Sequence, residues 1–586
     1  MESKAHSKES YVKPGQISWM EQDLSYCSRN FKPLFQERDM KKGSSSLPQV
    51  KDGVIHVGVI GAGLAGLRCA EILIEHGLQV TLLEARNRLG GRVHQMDLLG
   101  HTVDIGPSWI HGTLNNPLLN VAKKTGTIVS KVEDNPCFFD QNGELLSHER
   151  ANELSDLVWD IIKEAFKYSN ENSLNISPEI SLKDFFSEQV VERELSKADQ
   201  TLVLQMAEMW GAFIGDPLER QSLKYFWLEE CLDGDNLFVA SSHAKILYSV
   251  ADKALKNAEI LLRTKIVSIE NTSCIEECRK VRVKTDDEHA FEFDDVVVTI
   301  PLGALKRGNP KFSPPLSPSI TRAIHNTSYS RLEKVYITFP KAFWEPLALS
   351  EPETAQKSTK CASAFQSFAN FLHPTYSLEK NPKSWTVELN SLSSPQIFGS
   401  YAQPTLLFGI YGACATHITS LITPLSSDSS EYFQVIDDFF RPYYVLLPNY
   451  SPSDPNCRPR AALATNWQND ELAGYGSYMN FKTTEKPKEG EANFRLDDDI
   501  RALRHGMPER GIWLAGEHTA PFVALGTSTG AYWSGESVGI RILRAYGRIS
   551  GSSESGKVVS NGEDSKEAGE SQERTRKRKR ENESGK

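Results

Sequence analysis

Hydrophobic and polar positions alternate along the chain between two periods. IHVGVI, residues 55–60, is an almost unbroken apolar run of strand length, the pattern of a strand covered on both faces. LAGLRCAEILIEHG, 64–77, spaces its apolar residues as a helix does and stops at Gly77, a residue suited to a helix C-terminus. QVTLLEA, 79–85, predicts a second strand and completes a β-α-β unit of about 30 residues. Similar apolar strands recur far downstream, at DDVVVTI (294–300) and GIWLAGE (511–517). If they join the first sheet, the predicted class is α/β with a sequence-discontinuous domain made of 54–112, 241–310 and 461–548. The segments 113–240 and 311–460 would then build an interleaved α+β domain.

The ends read differently. Residues 1–53 are polar without sustained periodicity and are expected to form a mostly disordered or loosely docked arm. Residues 549–586 are rich in Ser, Gly, Glu and Lys, too poor in large apolar side chains to fold alone. They carry RTRKRKR, Arg574 to Arg580, either a solvated charge run or a nuclear-import signal. The net charge of −10 gives no global basic field, so nucleic-acid or chromatin binding is not expected. Nine cysteines are scattered; Cys274 and Cys278 are the only close pair, without zinc-like spacing, and read as reduced thiols of an intracellular protein. No metal is expected. MESKAHSKESYVKPGQ has no apolar core of a secretory signal, and no apolar run approaches the ~20 residues of a membrane span. ESGK at the end does not match the peroxisomal Ser-Lys-Leu ending.

The chemistry begins at VGVIGAGLAG. Gly61 permits a tight turn after the strand, Gly63 lets a pyrophosphate approach the backbone, and Gly66 lets helix and sheet pack closely. The helix N-terminus then offers N–H groups and a positive dipole end to phosphate. Glu84 ends the second strand, 84 − 66 = 18 residues after Gly66. That is near the ~20 of a ribose-binding acid and favours an unphosphorylated ribose, as in FAD or NAD. EARNRLGGRVHQ follows. Gly90 and Gly91 allow another close backbone approach, and Arg86, Arg88 and Arg92 offer forked donors to phosphate or flavin oxygens, an extension that favours FAD. DIGPSWIHGT places Ser108, Trp109 and His111 near that loop. WLAGEHTAPFVALGTSTGAYWSG, Trp513 to Gly535, is a second strand-to-helix passage rich in small residues.

Together these motifs resemble the flavin amine oxidase family, and most of all its polyamine oxidases of the spermine and acetylpolyamine type. The resemblance covers about 54–546. It rests on the glycine loop, LGGR, GPSWIHG, PLGALK, EKVYITFPKAFW, the Trp467–Tyr478 segment and GEHT, which occur in the family's order. It implies a Rossmann-type FAD-binding domain, a substrate domain, and an active site between them. It also implies hydride removal beside an amine nitrogen, dioxygen as acceptor giving hydrogen peroxide, and hydrolysis of the imine to an aldehyde and a shorter amine. Position by position, it places Glu84 at the ribose, Arg92 at the GGR turn, Ile266 by its backbone at the adenine, and Gly516 and Glu517 near the ribityl and phosphate groups. Trp467 joins the cofactor set. Lys334 in RLEKVYITFP matches the lysine that holds a water against flavin N5, provided its side chain points inward. Tyr478 matches one wall of an aromatic cage, and the second wall falls near Thr527. His111 resembles the histidine beside bound polyamine.

Departures from the family pattern carry expectations too. No Cys follows Cys457, so the FAD is expected to be non-covalent. Ser241-Ser242-His243 stands where a Gly-Gly turn is usual. The segment 345–404 is longer and more polar than a minimal oxidase needs, and sequence assigns it no role. Lys306 in PLGALK reads as a solvated decoy. The leading expectation is a cytoplasmic oxidase of spermine, spermidine or acetylated forms, with the basic tail a nuclear-import candidate. The alternatives are a histone-lysine demethylase-type oxidase and a non-catalytic flavin-bound scaffold.

Overall fold

Val57 and Val59 are fully buried because their strand lies in the middle of a sheet. The computed structural model describes residues 54–132, 137–272, 280–346, 367–486 and 495–549. Its central element is a five-stranded sheet in the order Ile512–Leu514, Asp295–Val298, His56–Ile60, Gln79–Leu83, Glu259–Leu261, with every neighbouring pair parallel. The two distant apolar runs at 294–300 and 511–517 therefore join the first sheet. The edge strand Glu259–Leu261 was not foreseen. The helix Leu64–Glu75 crosses between the first two strands, with Gly77 at φ 79° after its end.

A six-stranded sheet forms the second layer. Its order is Ala461–Ala464, Leu332–Thr338, Thr405–Tyr411, Val387–Ser391, Phe368–Phe371, Cys137–Phe139, antiparallel except for the last pair. The described part of 345–404 thus supplies two of its strands. Helices His148–Asn172, Leu182–Glu192 and Lys197–Ala207 each start at a serine whose hydroxyl accepts a first-turn N–H, at Ser147, Ser181 and Ser196. Their apolar faces build a core of their own around Val158, Ile161, Phe186 and Met206. A four-stranded sheet that includes Ile266–Thr272 flanks the parallel sheet.

Lys306 is exposed, as expected, and also has a structural task. Its Nζ donates to the carbonyls of Ile324, His325 and Thr327, at the end of the helix Pro318–Asn326. Those carbonyls lack helical partners, so a lysine from a neighbouring element satisfies them. The N-terminal arm, Cys274, Cys278 and RTRKRKR lie outside the described residues. Among the described residues no helix is long and apolar enough to cross a membrane, and no cluster of side chains could hold a metal ion.

Candidate active site

One cavity of about 760 Å³ gathers the predicted site residues, at the upper end of the ~300–1,000 Å³ usual for ligand sites. Gly66 and Arg88 are the predicted residues that do not line it. A Cβ on Gly66 would lie 2.0 Å from the Gly61 carbonyl oxygen, so Gly66 serves helix–strand contact. Gly61 sits at φ 101°, and its N–H donates to Leu83 O. Gly63 is different: an added Cβ would meet only Gly90 O, at 3.9 Å, and its φ of −79° is open to alanine. No protein contact requires glycine there, whereas a ligand pressed against the loop would.

The GGR turn is stitched to this loop. Gly90 N donates to Ala62 O, and Gly91 lies at φ 58° beside Gly63. The Glu84 carboxylate accepts the N–H groups of Ala62 and Arg86, both at 2.8 Å, fixing the loop against the second strand. Thr264 N donates to Glu84 O, which brings the corner leading into Ile266 to the same place. Arg86 pairs with Asp470 at 2.8 Å. Arg92 donates to Glu517 Oε1, Tyr329 Oη and Ser477 O. Burial would depress Arg92, but Tyr329 and Glu517 raise its pKa overall. Gly516 N donates to Ser534 Oγ, and Glu517 Oε2 accepts from Met479 N.

The residues fit a dinucleotide. The helix Leu64–Glu75 has no side-chain cap at its N-terminus, and Leu64 and Ala65 line the cavity. Burial and then neighbouring arginines push Arg88 down to about 10 and His94 down to about 4.

Further along the cavity stands Lys334, third in its strand and pointing inward. Its Nζ donates to Asp104 O, Gly106 O and Ser108 Oγ, at 3.1, 2.5 and 2.5 Å. Burial lowers its pKa to about 8, partly opposed by Asp104. Sequence reasoning missed Asp104. Its carbonyl also accepts Tyr336 Oη, and its carboxylate accepts Ser242 Oγ and His243 N where the helix Ala244–Asn257 begins. The Ser-Ser-His loop thus does by side-chain hydrogen bonding what a glycine turn would do by backbone freedom. Trp467 Nε1 donates to Ile105 O on the same loop.

Trp109 stacks on Phe368 and meets Phe238 edge-on, with centroids 6.1 and 5.0 Å apart. His111 Nδ1 and Asn236 Oδ1 are 3.3 Å apart, and burial keeps the ring toward its neutral form. With Nδ1–H donating, Nε2 is the acceptor. Tyr478 Oη donates to Phe213 O at 2.5 Å, which fixes the ring on the cavity wall. Thr527 also lines the cavity, but its hydroxyl accepts Gly530 N and donates to Ala524 O at the start of the helix Ser528–Ala545. Trp210 and Phe213 add aromatic wall that the reading above had not named; their spacing of three in MWGAFI was the signal.

Comparison with known proteins accords with this geometry. Residues 64–543 match the flavin containing amine oxidoreductase family, and the chain belongs to it. Two curated relatives are Probable polyamine oxidase 4 of Arabidopsis thaliana and Lysine-specific histone demethylase 1B of Mus musculus. They are 27% and 26% identical over 49% of this chain. The matches span 58% and 35% of those proteins, so the chain covers less than two thirds of either. A solved structure of a redesigned putrescine oxidase aligns with a TM-score of 0.58 at 16% identity, covering 84% of this chain and all of that one. At that identity it shows the fold.

Two outcomes test the site. Gly66→Ala should lower the melting temperature of flavin-free protein, since packing a methyl against backbone costs ~1–3 kcal/mol. Gly63→Ala should leave that temperature unchanged yet cut FAD retention at least tenfold; normal retention would remove the cradle assignment. Lys334→Met should keep its flavin while anaerobic reduction by amine slows at least tenfold in stopped flow.

Proposed function

We propose that the protein is a polyamine oxidase with non-covalently bound FAD, acting on a secondary amine of spermine, spermidine or acetylated forms. The observation that carries this reading is the set of acids facing the cavity. Burial raises Glu229 to about 8 and Glu388 to about 7, and both line the cavity that Lys334 enters. Such carboxyls gain by ionising when a polycation enters, and the aromatic walls suit its methylene segments.

Bound FAD supplies a two-electron acceptor for the hydride beside the nitrogen and returns the electrons to dioxygen as hydrogen peroxide. Gly61, Gly63, Glu84, Gly90, Gly91, Arg92 and Glu517 would hold it. Tyr478 positions the amine from one side. Lys334 Nζ gives its three N–H donors to Asp104 O, Gly106 O and Ser108 Oγ, so it holds a water only by releasing one of them; a pKa of about 8 suits proton exchange as the imine hydrolyses. Neutral His111 accepts a hydrogen bond from a substrate N–H. Cys231, the cysteine on the cavity wall, has its thiol pushed up to about 12 by burial and then by Glu229 and Glu230, so a thioether tether there is disfavoured. The two-domain boundaries predicted above, a cytoplasmic location, and nuclear entry through the basic tail belong to the same reading.

Purified flavoprotein should release peroxide with spermine, spermidine or N1-acetylspermine, and not with benzylamine or a dimethylated histone-tail peptide. Turnover of the peptide alone would transfer the protein to the demethylase branch. A second expectation concerns pH. The reacting nitrogen must be neutral, and free amines of this type have pKa near ~10.4. Glu388 and Glu229 lose their protons as pH rises through about 7 and 8, which strengthens attraction for the remaining ammonium groups. Both effects have the same sign, so kcat/KM should climb from pH 6 to 8.5. A flat profile with chemistry limiting would count against the assignment.

A further inference from the structure

The loop that carries His111 is held from two sides. On one side it lies against residues 232–236. Thr113 N and Leu114 N both donate to Asp233 O at 3.0 Å, and Gly112 N and His111 Nδ1 meet Asn236 Oδ1 at 3.2 and 3.3 Å. Gly112, at φ 71°, permits this approach, since a Cβ there would lie 2.3 Å from Leu232 O. On the other side stands Asn116. Its Nδ2 donates to the carbonyls of His111 and Gly112, both at 3.0 Å. Its Oδ1 accepts Leu118 N at 3.0 Å and Thr529 Oγ1 at 3.1 Å.

Asn116 is 2% exposed, and these bonds use both hydrogens of its amide and both lone pairs of its oxygen. The amide has one orientation, because the Leu118 N–H can only donate and the two carbonyls can only accept. The bond to Leu118 N caps the helix Pro117–Thr125, a task that serine, threonine or aspartate performs as well. The other three bonds exceed that task. A hydroxyl at the cap reaches Leu118 N and has no second arm for the carbonyls of His111 and Gly112. Thr529 belongs to the helix Ser528–Ala545, whose start supplies Thr527, Ser528 and Ala531 to the cavity wall. Asn116 does not line the cavity itself. It joins two of its walls across 413 positions of sequence.

We propose that Asn116 is a positioning residue, which fixes His111 against the wall that begins at Thr527 so that the imidazole Nε2 meets an N–H of the bound amine. This role rests on the polyamine reading, in which neutral His111 accepts that hydrogen bond. Asn116 acts through His111. With the cap kept and the other three bonds lost, the helix Pro117–Thr125 still starts in place. The His111 carbonyl and the Thr529 hydroxyl then lose their shared partner, and the ring shifts relative to the reacting carbon. A misplacement of about 1 Å is enough to cost on the order of 10²-fold in rate. Flavin binding is spared, because the partners of Asn116 are in neither the Gly61–Gly66 loop nor the turn at Gly90 and Gly91.

The experiment is a double-mutant cycle on the FAD-loaded enzyme, read as the anaerobic reduction of flavin by spermine. Asn116→Ser keeps the cap. It should lower the ratio of limiting reduction rate to half-saturating spermine at least tenfold, with flavin content per protein unchanged. His111→Ala should lower the ratio at least as far. In the His111→Ala background, Asn116→Ser should add less than a twofold change, since a residue that acts through His111 then has nothing to position. Losses that multiply across the cycle would mark a merely structural role and overturn the proposal. So would a ratio for Asn116→Ser within threefold of wild type. If Asn116→Ser does not fold, Thr529→Val carries the cycle, with a loss of at least threefold that disappears beside His111→Ala. Thr529→Ser keeps the hydroxyl and should stay within twofold of wild type. Turnover of spermine by the wild type, together with no loss or a multiplying loss in these variants, would overturn the positioning role and leave the polyamine reading standing. Failure of the wild type to oxidise any polyamine would remove both together.

Discussion

The Lys334 ammonium is taken out of water and given protein oxygens in return. Asp104 O, Gly106 O and Ser108 Oγ replace its hydration. A buried ammonium without such acceptors would be expelled or neutralised, so the loop of residues 104–108 cannot move without moving the lysine. That loop is in turn held by the helix that starts at Ala244, through the Asp104 carboxylate, and by Trp467 through Ile105. On the other side, Thr465 accepts Lys334 N and donates to the buried Glu333 carboxylate. Lysine, cofactor loop and sheet are one hydrogen-bonded unit. The distance between the nucleotide cradle and the amine-facing wall is set by it.

What the sequence disclosed follows from the range of each interaction. The glycine loop was legible because its requirements are local: a turn, a close approach and a helix start within ten residues of chain. Lys334 and Tyr478 were legible only through family resemblance, since an inward lysine on a strand looks like any other until its acceptors are known. Glu388 was opaque because its place on the cavity wall comes from register among three strands. The capping role of the exposed Lys306 was hidden for a related reason: the carbonyls it caps belong to a helix that begins twelve residues later, at Pro318. Thr527 shows the opposite case, a residue that lines the cavity while its hydroxyl is committed to capping a helix.

The acids of the cavity also bear on selectivity. A permanently ionised cluster would repel itself and draw in any small cation. Carboxyls raised toward neutrality by burial hold part of their charge in reserve, and the cost of ionising them is offset only by a ligand that brings positive charge to the right places. Glu229 near Tyr478 and Glu388 in the six-stranded sheet divide that demand between two points. On the polyamine reading proposed above, geometry and charge number, more than total charge, decide which amines are retained.

One further consequence follows from the bond between Arg92 and Glu517, 425 positions apart in the chain. At ribosomal speeds of ~5–20 residues per second, the first half of the cradle waits roughly 20 to 85 s for the second to be made. During that interval the strand His56–Ile60 has its neighbour at Gln79–Leu83 but lacks Asp295–Val298 until that strand is made, and Asp295–Val298 then lacks Ile512–Leu514. The nascent chain therefore presents an unpaired apolar edge for most of its synthesis. Shielding by chaperones, and the supply of flavin at the moment of closure, become conditions for obtaining active protein.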